Sequence, residues 1–513
     1  MESLSDTLWD VVICGTGLQQ SLLALSLSRS GKKILHIDPK EYYGGPDAAL
    51  SLEEAQRWQA EHASASATAS SIFNSATILQ SPEPANLPSR SYSLALSTQI
   101  IHTRSALLSQ LVSSRAYRQI EFLSVGSFYV FKPSSDAQIP PTLSRIPSTR
   151  EDVFSTTAIP ARAKRSLMKF LKFVLDYDSE SNAEVWRSHA DEPLTTFLAS
   201  QFSLDNELQA YVLALTMSLD QNVVTRDGLA VINRHLTSMG VFGPGFAAVY
   251  PKWGGLSEVA QVACRAGAVG GGIYILGTGI EKVVDQAEVD EPVEVVLSSG
   301  TTVKTTWLVL GTEDQPEAGA EQISRLVAVV TSPLASLFEV SVEAAPAPAV
   351  AVIAYPPGSV ITKDGIASEQ PVYVYAHSSD TGECPIGQSV LYFTTRTCPL
   401  AKALLEAALE SLLTALESPQ CLYQLYYQQS HGSTSIQSKG TLVHLPAPSL
   451  NLAFDDSTLE SIHEAWKMVM DGKREDIDEE YMVFADREGE ILAIKSKARV
   501  CTTHFISIPS DAA

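Results

Sequence analysis

The chain is poor in the residue patterns that make metal sites and disulfide frameworks. Its six cysteines (Cys14, Cys264, Cys384, Cys398, Cys421 and Cys501) are scattered over 513 residues, with no C-x-x-C and no metal-ligand spacing. Reduced thiols in a cytoplasmic protein are the expectation. Positive charge is scarce as well. Against 58 Asp and Glu there are 36 Lys and Arg, a formal charge of −22. That balance opposes nucleic-acid binding and unassisted adsorption on anionic membranes, and suits basic protein partners. No run approaches the ~18 apolar residues of a membrane span. Glu2, Asp6 and Asp10 stand where a secretory leader would be basic and then apolar, and Ser510-Asp511-Ala512-Ala513 carries no prenylation signal. Membrane contact is expected to be transient only. Catalytic patterns are missing too: no P-loop, no G-x-S-x-G, and ten isolated histidines. The pairs Glu53-Glu54 and Glu479-Glu480 lie in polar surroundings and read as solvated surface. Nothing assembles a nucleophile, a base and an oxyanion hole, so no catalytic role is predicted.

What is present begins at Asp10. Val11-Val12-Ile13-Cys14 is a short β-rich apolar run, Gly15-Thr16-Gly17 a turn, and Leu18, Leu22 and Leu25 one face of a helix. Gly31 stops that helix beside Lys32 and Lys33. Ile34-Leu35-His36-Ile37 is a second strand, and Asp38 at its end lies 23 residues after Gly15. This is the β-α-β layout of a dinucleotide fold, with an acid where a ribose hydroxyl would be held. The sixth place of G-x-G-x-x-G is Gln20, however, where close packing and an approaching pyrophosphate require glycine. No bound cofactor is expected. His36 reads as a core or switch-point residue.

The predicted fold class is α/β: a flavoprotein-like, Rossmann-type domain without a functional cofactor fingerprint, an additional β-sheet, and an inserted all-helical domain. Residues 1–148 form the first part, with a Ser/Ala-rich flexible insertion over 51–88 that includes a loose helix, Ala55 to Ala69. Residues 149–227 take on helical periodicity and form the inserted domain, and 228–320 return to the first. Residues 321–450 supply a second sheet, with strands at Val327–Val330, Val340–Val342, Val350–Ala354, Val372–Ala376 and Val390–Phe393 and a closing helix, Leu400 to Glu417. Residues 451–513 are an acidic C-terminal region.

Gly15-Thr16-Gly17-Leu18 together with His36-Ile37-Asp38 and Tyr42-Tyr43-Gly44-Gly45 resembles the Rab GDP-dissociation-inhibitor and Rab-escort-protein superfamily. Tyr250-Pro251-Lys252-Trp253-Gly254, Arg265 and Gly271-Gly272-Ile273-Tyr274 are similar to its second signature. The resemblance covers most of residues 8–50 and 90–310, more weakly Pro371–Thr397. It implies a flavoprotein fold that has become a binding protein for GDP-loaded Rab GTPases, with Tyr43, Tyr250, Trp253 and Arg265 as Rab-binding candidates. One departure is Val241-Phe242-Gly243, where the inhibitors carry an arginine before the aromatic-glycine pair.

Ser148 to Phe154 and Lys164 to Leu171 resemble the escort branch, whose Phe and Arg dock the Rab geranylgeranyltransferase heterodimer. The matching residues are Phe154 and Arg165, eleven apart. The function implied is a non-catalytic accessory that presents Rab to the transferase, shields the geranylgeranyl lipid and delivers Rab to membranes. Leu167, Phe170, Leu171, Val174, Leu208, Val212 and Leu215, on apolar helix faces, are the prenyl-binding candidates. Two alternatives stay open: an inhibitor that recycles prenylated Rab, and an FAD-dependent enzyme resembling the amine oxidases.

Overall fold

Val11, Val12 and Ile13 have no solvent exposure in strand β1 (Leu8–Cys14). A strand buried on both faces needs neighbours on both edges and cover on both faces, and the chain supplies all four. In the computed structural model, which describes residues 4–64, 71–82, 87–134, 139–147, 152–153, 160–284, 291–311, 320–340, 342–416, 419–470 and 481–484, β1 pairs in parallel with β2 (Ile34–Asp38) and with Thr302–Leu310. The sheet continues past β2 to Ile273–Leu276, and past Thr302–Leu310 to Val293–Leu297 and Ile280–Val284. Helix α1 (Leu18–Leu27) is buried along its whole length, including its Gln and Ser residues. It packs between helices Leu256–Val269 and Ser457–Met470, so its polar side chains need partners: Ser26 and Ser28 turn back to donate to the Leu23 and Leu25 carbonyls at 2.7 Å, and Gln19 donates to the Pro446 carbonyl at 2.8 Å.

The second sheet has ten strands. Its order is Phe73–Gln80, Cys421–Ser430, Gln322–Val330, Ser389–Arg396, Val372–Ser378, Val350–Tyr355, Phe122–Lys132, Ala248–Pro251 and Ile101–His102, with Thr142–Arg145 beside Phe122–Lys132. Helix Ala401–Ala415 covers one face through Leu404, Leu405, Leu409 and Leu412. The helical unit covers the other face.

Several expectations are corrected here. The segment 51–88 is not a flexible insertion in its described parts. Ser51 and Glu54 form a reciprocal capping box that starts helix α2 (Leu52–His62), whose Trp58 is buried, and Phe73–Gln80 is an edge strand of the second sheet. Residues 321–450 are not a separate sheet, because that sheet also includes five strands from earlier in the chain. Val340 and Val342 are irregular, while the unanticipated Cys421–Ser430 is a central strand. The helical unit extends past residue 227: its helices are Ala161–Leu175, Glu180–Arg187, Leu194–Phe202, Asn206–Thr216 and Thr225–Ser238, and the last packs on all the others. Most of the acidic C-terminal region lies outside the described residues; within it, helix Ser457–Met470 is core, with Trp466 1 % exposed.

No helix among the described residues is long and apolar enough to cross a membrane, and no cluster of His, Cys, Asp or Glu among them suits a metal ion.

The helical unit is knitted by aromatics, with Phe170 and Phe202 edge-to-face at 5.3 Å and Phe173 and Phe202 at 5.1 Å. Phe170→Ala is therefore expected to cost ~3–5 kcal/mol in a urea melt. Leu175→Ala, at a position 53 % exposed, is expected to stay within about 1 kcal/mol.

Candidate partner-binding site

Three places on the molecule carry the residues singled out in the sequence. The first is the crevice beyond the carboxyl ends of β1 and β2. Gly15 turns there with φ +94°, and Asp38 closes the turn. Asp38 Oδ2 accepts the Thr16 N–H and hydroxyl, both at 2.6 Å, and Oδ1 accepts the Lys40 N–H at 2.7 Å. Burial raises the Asp38 pKa, and these donors oppose the rise. The Thr16 hydroxyl in turn accepts the Gly44 N–H at 3.1 Å, which folds the Tyr42-Tyr43-Gly44-Gly45 segment onto the turn. Gly44 has φ +104°, and a Cβ on it would lie 2.8 Å from the Ala48 Cα. His36 is buried, its Nε2 2.6 Å from the Gly15 carbonyl; burial lowers its pKa to about 4.

A dinucleotide does not fit this crevice. Both oxygens of Asp38 are committed to the chain's own loop. The start of α1, where a pyrophosphate would sit, holds the carboxylate of Asp47, which accepts the Leu18 N–H. Gln20 is buried at the place that needs glycine. What remains is a cavity of about 390 Å³ lined by Gly15, Asp38, Tyr42, Trp58, Phe73 and His444 among others.

The second place is a surface formed by the folded-back loop and the turn before helix Leu256–Val269. Trp253 (φ +73°), Gly254 (φ +113°) and Gly255 (φ +66°) are all left-handed, and Trp253 is 51 % exposed. Close approach requires the glycines, since a Cβ on Gly254 would come within 2.3 Å of the Ala49 Cβ. Lys252 pairs with Glu121 at 3.0 Å, and its ammonium lies 5.3 Å from the Trp253 ring centre. Arg265 is exposed two turns along the helix, its Nη1 donating to Gln119 Oε1 at 3.3 Å. Tyr43 is half-buried beside it. Burial raises the Tyr43 hydroxyl's pKa and the Arg265 charge pulls it back. The same charge opposes the burial that raises the pKa of Glu258.

Tyr43, Trp253 and Arg265 thus share an accessible face. Tyr250 does not belong to it, because its ring is fully buried and its hydroxyl donates to Glu383 at 2.6 Å. Glu258 belongs to it and escaped the sequence reading. Its signal was the spacing of seven from Arg265, which puts both on one side of a helix. Asp47 had no such signal, since only the fold brings it to α1.

The third place is the helical unit. Arg165 is exposed on helix Ala161–Leu175, and Phe154 lies outside the described residues. Leu171 and Leu215 line an apolar cavity of about 210 Å³ with Phe128, Met168, Leu175 and Leu236. Leu167, Phe170, Val174, Leu208 and Val212 are packed in the core, each 5 % exposed or less.

Residues 5–342 match the family of GDP dissociation inhibitors. A Saccharomyces cerevisiae protein named Rab proteins geranylgeranyltransferase component A is 30% identical over 79% of this chain; the match spans 65% of that relative's length. The Arabidopsis thaliana protein named Rab escort protein 1 is 24% identical over 90% of this chain and 92% of its own. Among solved structures, a Rab GDI from Plasmodium falciparum superposes with a TM-score of 0.63 at 17% identity, over 90% of this chain and 97% of that one. An oxidoreductase from Methanosarcina mazei follows at 0.54 and 12% identity, over 90% and 99%. The last two establish the fold: that of GDP dissociation inhibitors, shared with an oxidoreductase.

The crevice yields two measurements. The purified protein is expected to be colourless and to show no saturable binding of FAD or NAD; stoichiometric flavin absorbance would overturn the assignment. Burial raises the pKa of Asp47 from the ordinary 3.8 to about 7, against the opposing Leu18 N–H and Arg325 charge. A raised carboxyl stabilises the fold fully below its unfolded value, and that stability is lost as pH rises through about 7. The wild type should therefore lose a few kcal/mol between pH 4 and pH 8 that Asp47→Asn does not lose.

Proposed function

The chain belongs to the GDP dissociation inhibitor family, and we propose that it serves there as a Rab escort protein, the non-catalytic component A of a Rab geranylgeranyltransferase. In this role it binds GDP-loaded Rab, presents it to the transferase heterodimer, shields the attached geranylgeranyl groups and hands the GTPase to a membrane. The observation that carries the reading is the likeness, at 30% identity over 79% of the chain, to a protein named for that component. The geometry supports it. The Tyr43–Trp253–Glu258–Arg265 face belongs to the sheet units, while Arg165 stands exposed on a helix of the other unit. An accessory that holds two proteins at once needs two such surfaces.

On the first face Trp253 supplies apolar contact area, and Glu258 and Arg265 offer charges of both signs. An aromatic anchor beside an arginine is the composition of a small binding hot spot. On the second, Arg165 offers a planar donor for a carboxylate, and the family resemblance in the sequence adds Phe154 as the apolar anchor. The apolar cavity under Leu171 and Leu215 is the place for lipid. At about 210 Å³ it falls below the ~300 Å³ lower end of ordinary ligand pockets. A long isoprenoid chain therefore enters only as helices Ala161–Leu175 and Thr225–Ser238 part. An inhibitor that merely recycles prenylated Rab would need the first face and the cavity and would have no use for the second face.

The deciding experiment is reconstituted prenylation of a Rab by the transferase with and without this chain. Prenylation that proceeds equally without it overturns the escort role. Phe154→Ala and Arg165→Ala should each weaken transferase binding by ~2 kcal/mol, about thirty-fold, with GDP-Rab binding unchanged. Equal weakening toward both partners would indicate misfolding; unchanged transferase affinity would return the role to a recycling inhibitor. Leu171→Asp, at a half-buried position on the cavity, should lower affinity for prenylated Rab roughly ten-fold or more and leave unprenylated Rab unaffected. A uniform effect on both forms would remove the lipid from this cavity.

A further inference from the structure

Trp253 combines two properties that seldom coincide. It is a large side chain exposed to solvent, and its φ of +73° is one that bulky residues avoid. Such a conformation persists only where the surroundings over-determine it. The Trp253 N–H donates to the Thr381 carbonyl at 2.8 Å, and the Ser93 hydroxyl donates to the Trp253 carbonyl at 3.2 Å. The indole itself lies on Gly382, where an added Cβ would meet its ring at 2.3 Å. The turn Ser379–Thr381 and Gly382 are therefore the floor on which the tryptophan stands.

The next residue, Glu383, is fully buried. Its Oε1 accepts the Tyr250 hydroxyl at 2.6 Å, and its Oε2 accepts the Tyr392 hydroxyl at 2.9 Å and lies 2.7 Å from His377 Nδ1. Its backbone carbonyl accepts the Ser93 N–H at 3.1 Å. The Tyr392 hydroxyl also accepts the Ala95 N–H at 3.2 Å. One carboxyl group thus ties together strands Ala248–Pro251, Val372–Ser378 and Ser389–Arg396. Its backbone holds Ser93, which also grips Trp253. Tyr250 joins from the other side, since a Cβ on Gly255 would come within 2.8 Å of its hydroxyl. An apolar core of the same volume would stabilise the sheet as well or better, so a buried carboxyl here is better explained by geometry than by stability. The three groups around it come from three strands and fix it from three directions.

We propose that Glu383 is a positioning residue for GTPase binding: its buried carboxyl group fixes the turn under Trp253 and thereby sets the direction in which the indole meets the partner. The proposal rests on the reading of the Tyr43–Trp253–Arg265 face as the GTPase-binding surface. Glu383 touches no partner itself and acts only through Trp253.

A double-mutant cycle tests this, with GDP-Rab affinity as the readout and thermal melting as the control for folding. Glu383→Gln keeps the size of the side chain but replaces one acceptor oxygen by a donor. It should lower Rab affinity roughly ten-fold in the wild-type background and leave it essentially unchanged in a Trp253→Ala background. Tyr392→Phe removes one donor to Glu383, together with the acceptor of the Ala95 N–H, and should produce a smaller loss that vanishes in the same way; it carries the test if Glu383→Gln fails to melt cooperatively. A loss that persists undiminished beside Trp253→Ala, or no loss at all, overturns the proposal alone. A Trp253→Ala variant that binds Rab normally overturns the reading of the face, and the proposal with it.

Discussion

The grip of Asp38 on Thr16 is the interaction from which the rest of this architecture follows. In a working dinucleotide fold, the acid at the end of the second strand faces outward to a ligand. Here its oxygens turn inward and accept the N–H and hydroxyl of Thr16 and the N–H of Lys40. Thr16 then holds Gly44, and the loop that would have framed a cofactor becomes a rigid lip carrying Tyr43. Asp47, three residues further on, completes the replacement by capping α1. The donors and acceptors at this place are spent on holding the chain's own loop. A buried carboxyl with several donors is rigid in a way that a loop of free side chains is not.

The two sheets divide the labour. The first sheet positions Tyr43 through β2, and Arg265 is carried by helix Leu256–Val269, which links strand Ala248–Pro251 of the second sheet to strand Ile273–Leu276 of the first. The second sheet contributes the turn beneath Trp253. A face built from both depends on their mutual placement, and strand Ala248–Pro251 secures that placement. It pairs in the second sheet with Phe122–Lys132, and its continuation is the helix packed on α1. The formal charge of −22 is spread over a surface whose ion pairs are mostly exposed. Such pairs contribute little to stability.

Much of this was legible in the sequence where period and turn chemistry coincide. The β-α-β start was readable because Val11 to Cys14, Gly15 and the Leu18–Leu22–Leu25 stripe are local signals. Gln20 departs from the cofactor fingerprint in the same local stretch, and it is buried at that place. The helix and strand in residues 51–80 were hidden by their Ser and Ala content, which resembles that of an insertion. Their burial comes from Trp58 and Phe73 packing edge-to-face at 5.2 Å, a contact that exists only once the sheet is formed. The family signature around Tyr250 does not tell a surface residue from a buried one; the buried Glu383, 133 residues away, claims its hydroxyl. The prenyl candidates show the same limit. Helical periodicity marks an apolar face, and tertiary packing decides which of those residues meet another helix and which, like Leu171 and Leu215, border a cavity.

The burial of α1 has a consequence for how the chain is made. One face of that helix is closed by Ser457–Met470, and its Gln19 donates an amide hydrogen to the Pro446 carbonyl, 427 residues away in sequence. At the ~5–20 residues per second of synthesis, the ribosome needs on the order of tens of seconds to deliver that partner. Throughout this interval the first β-α-β unit exists with an apolar helix surface uncovered. This β-α-β unit is therefore sealed long after it emerges, and the nascent chain is a natural client for a chaperone that binds exposed apolar helices.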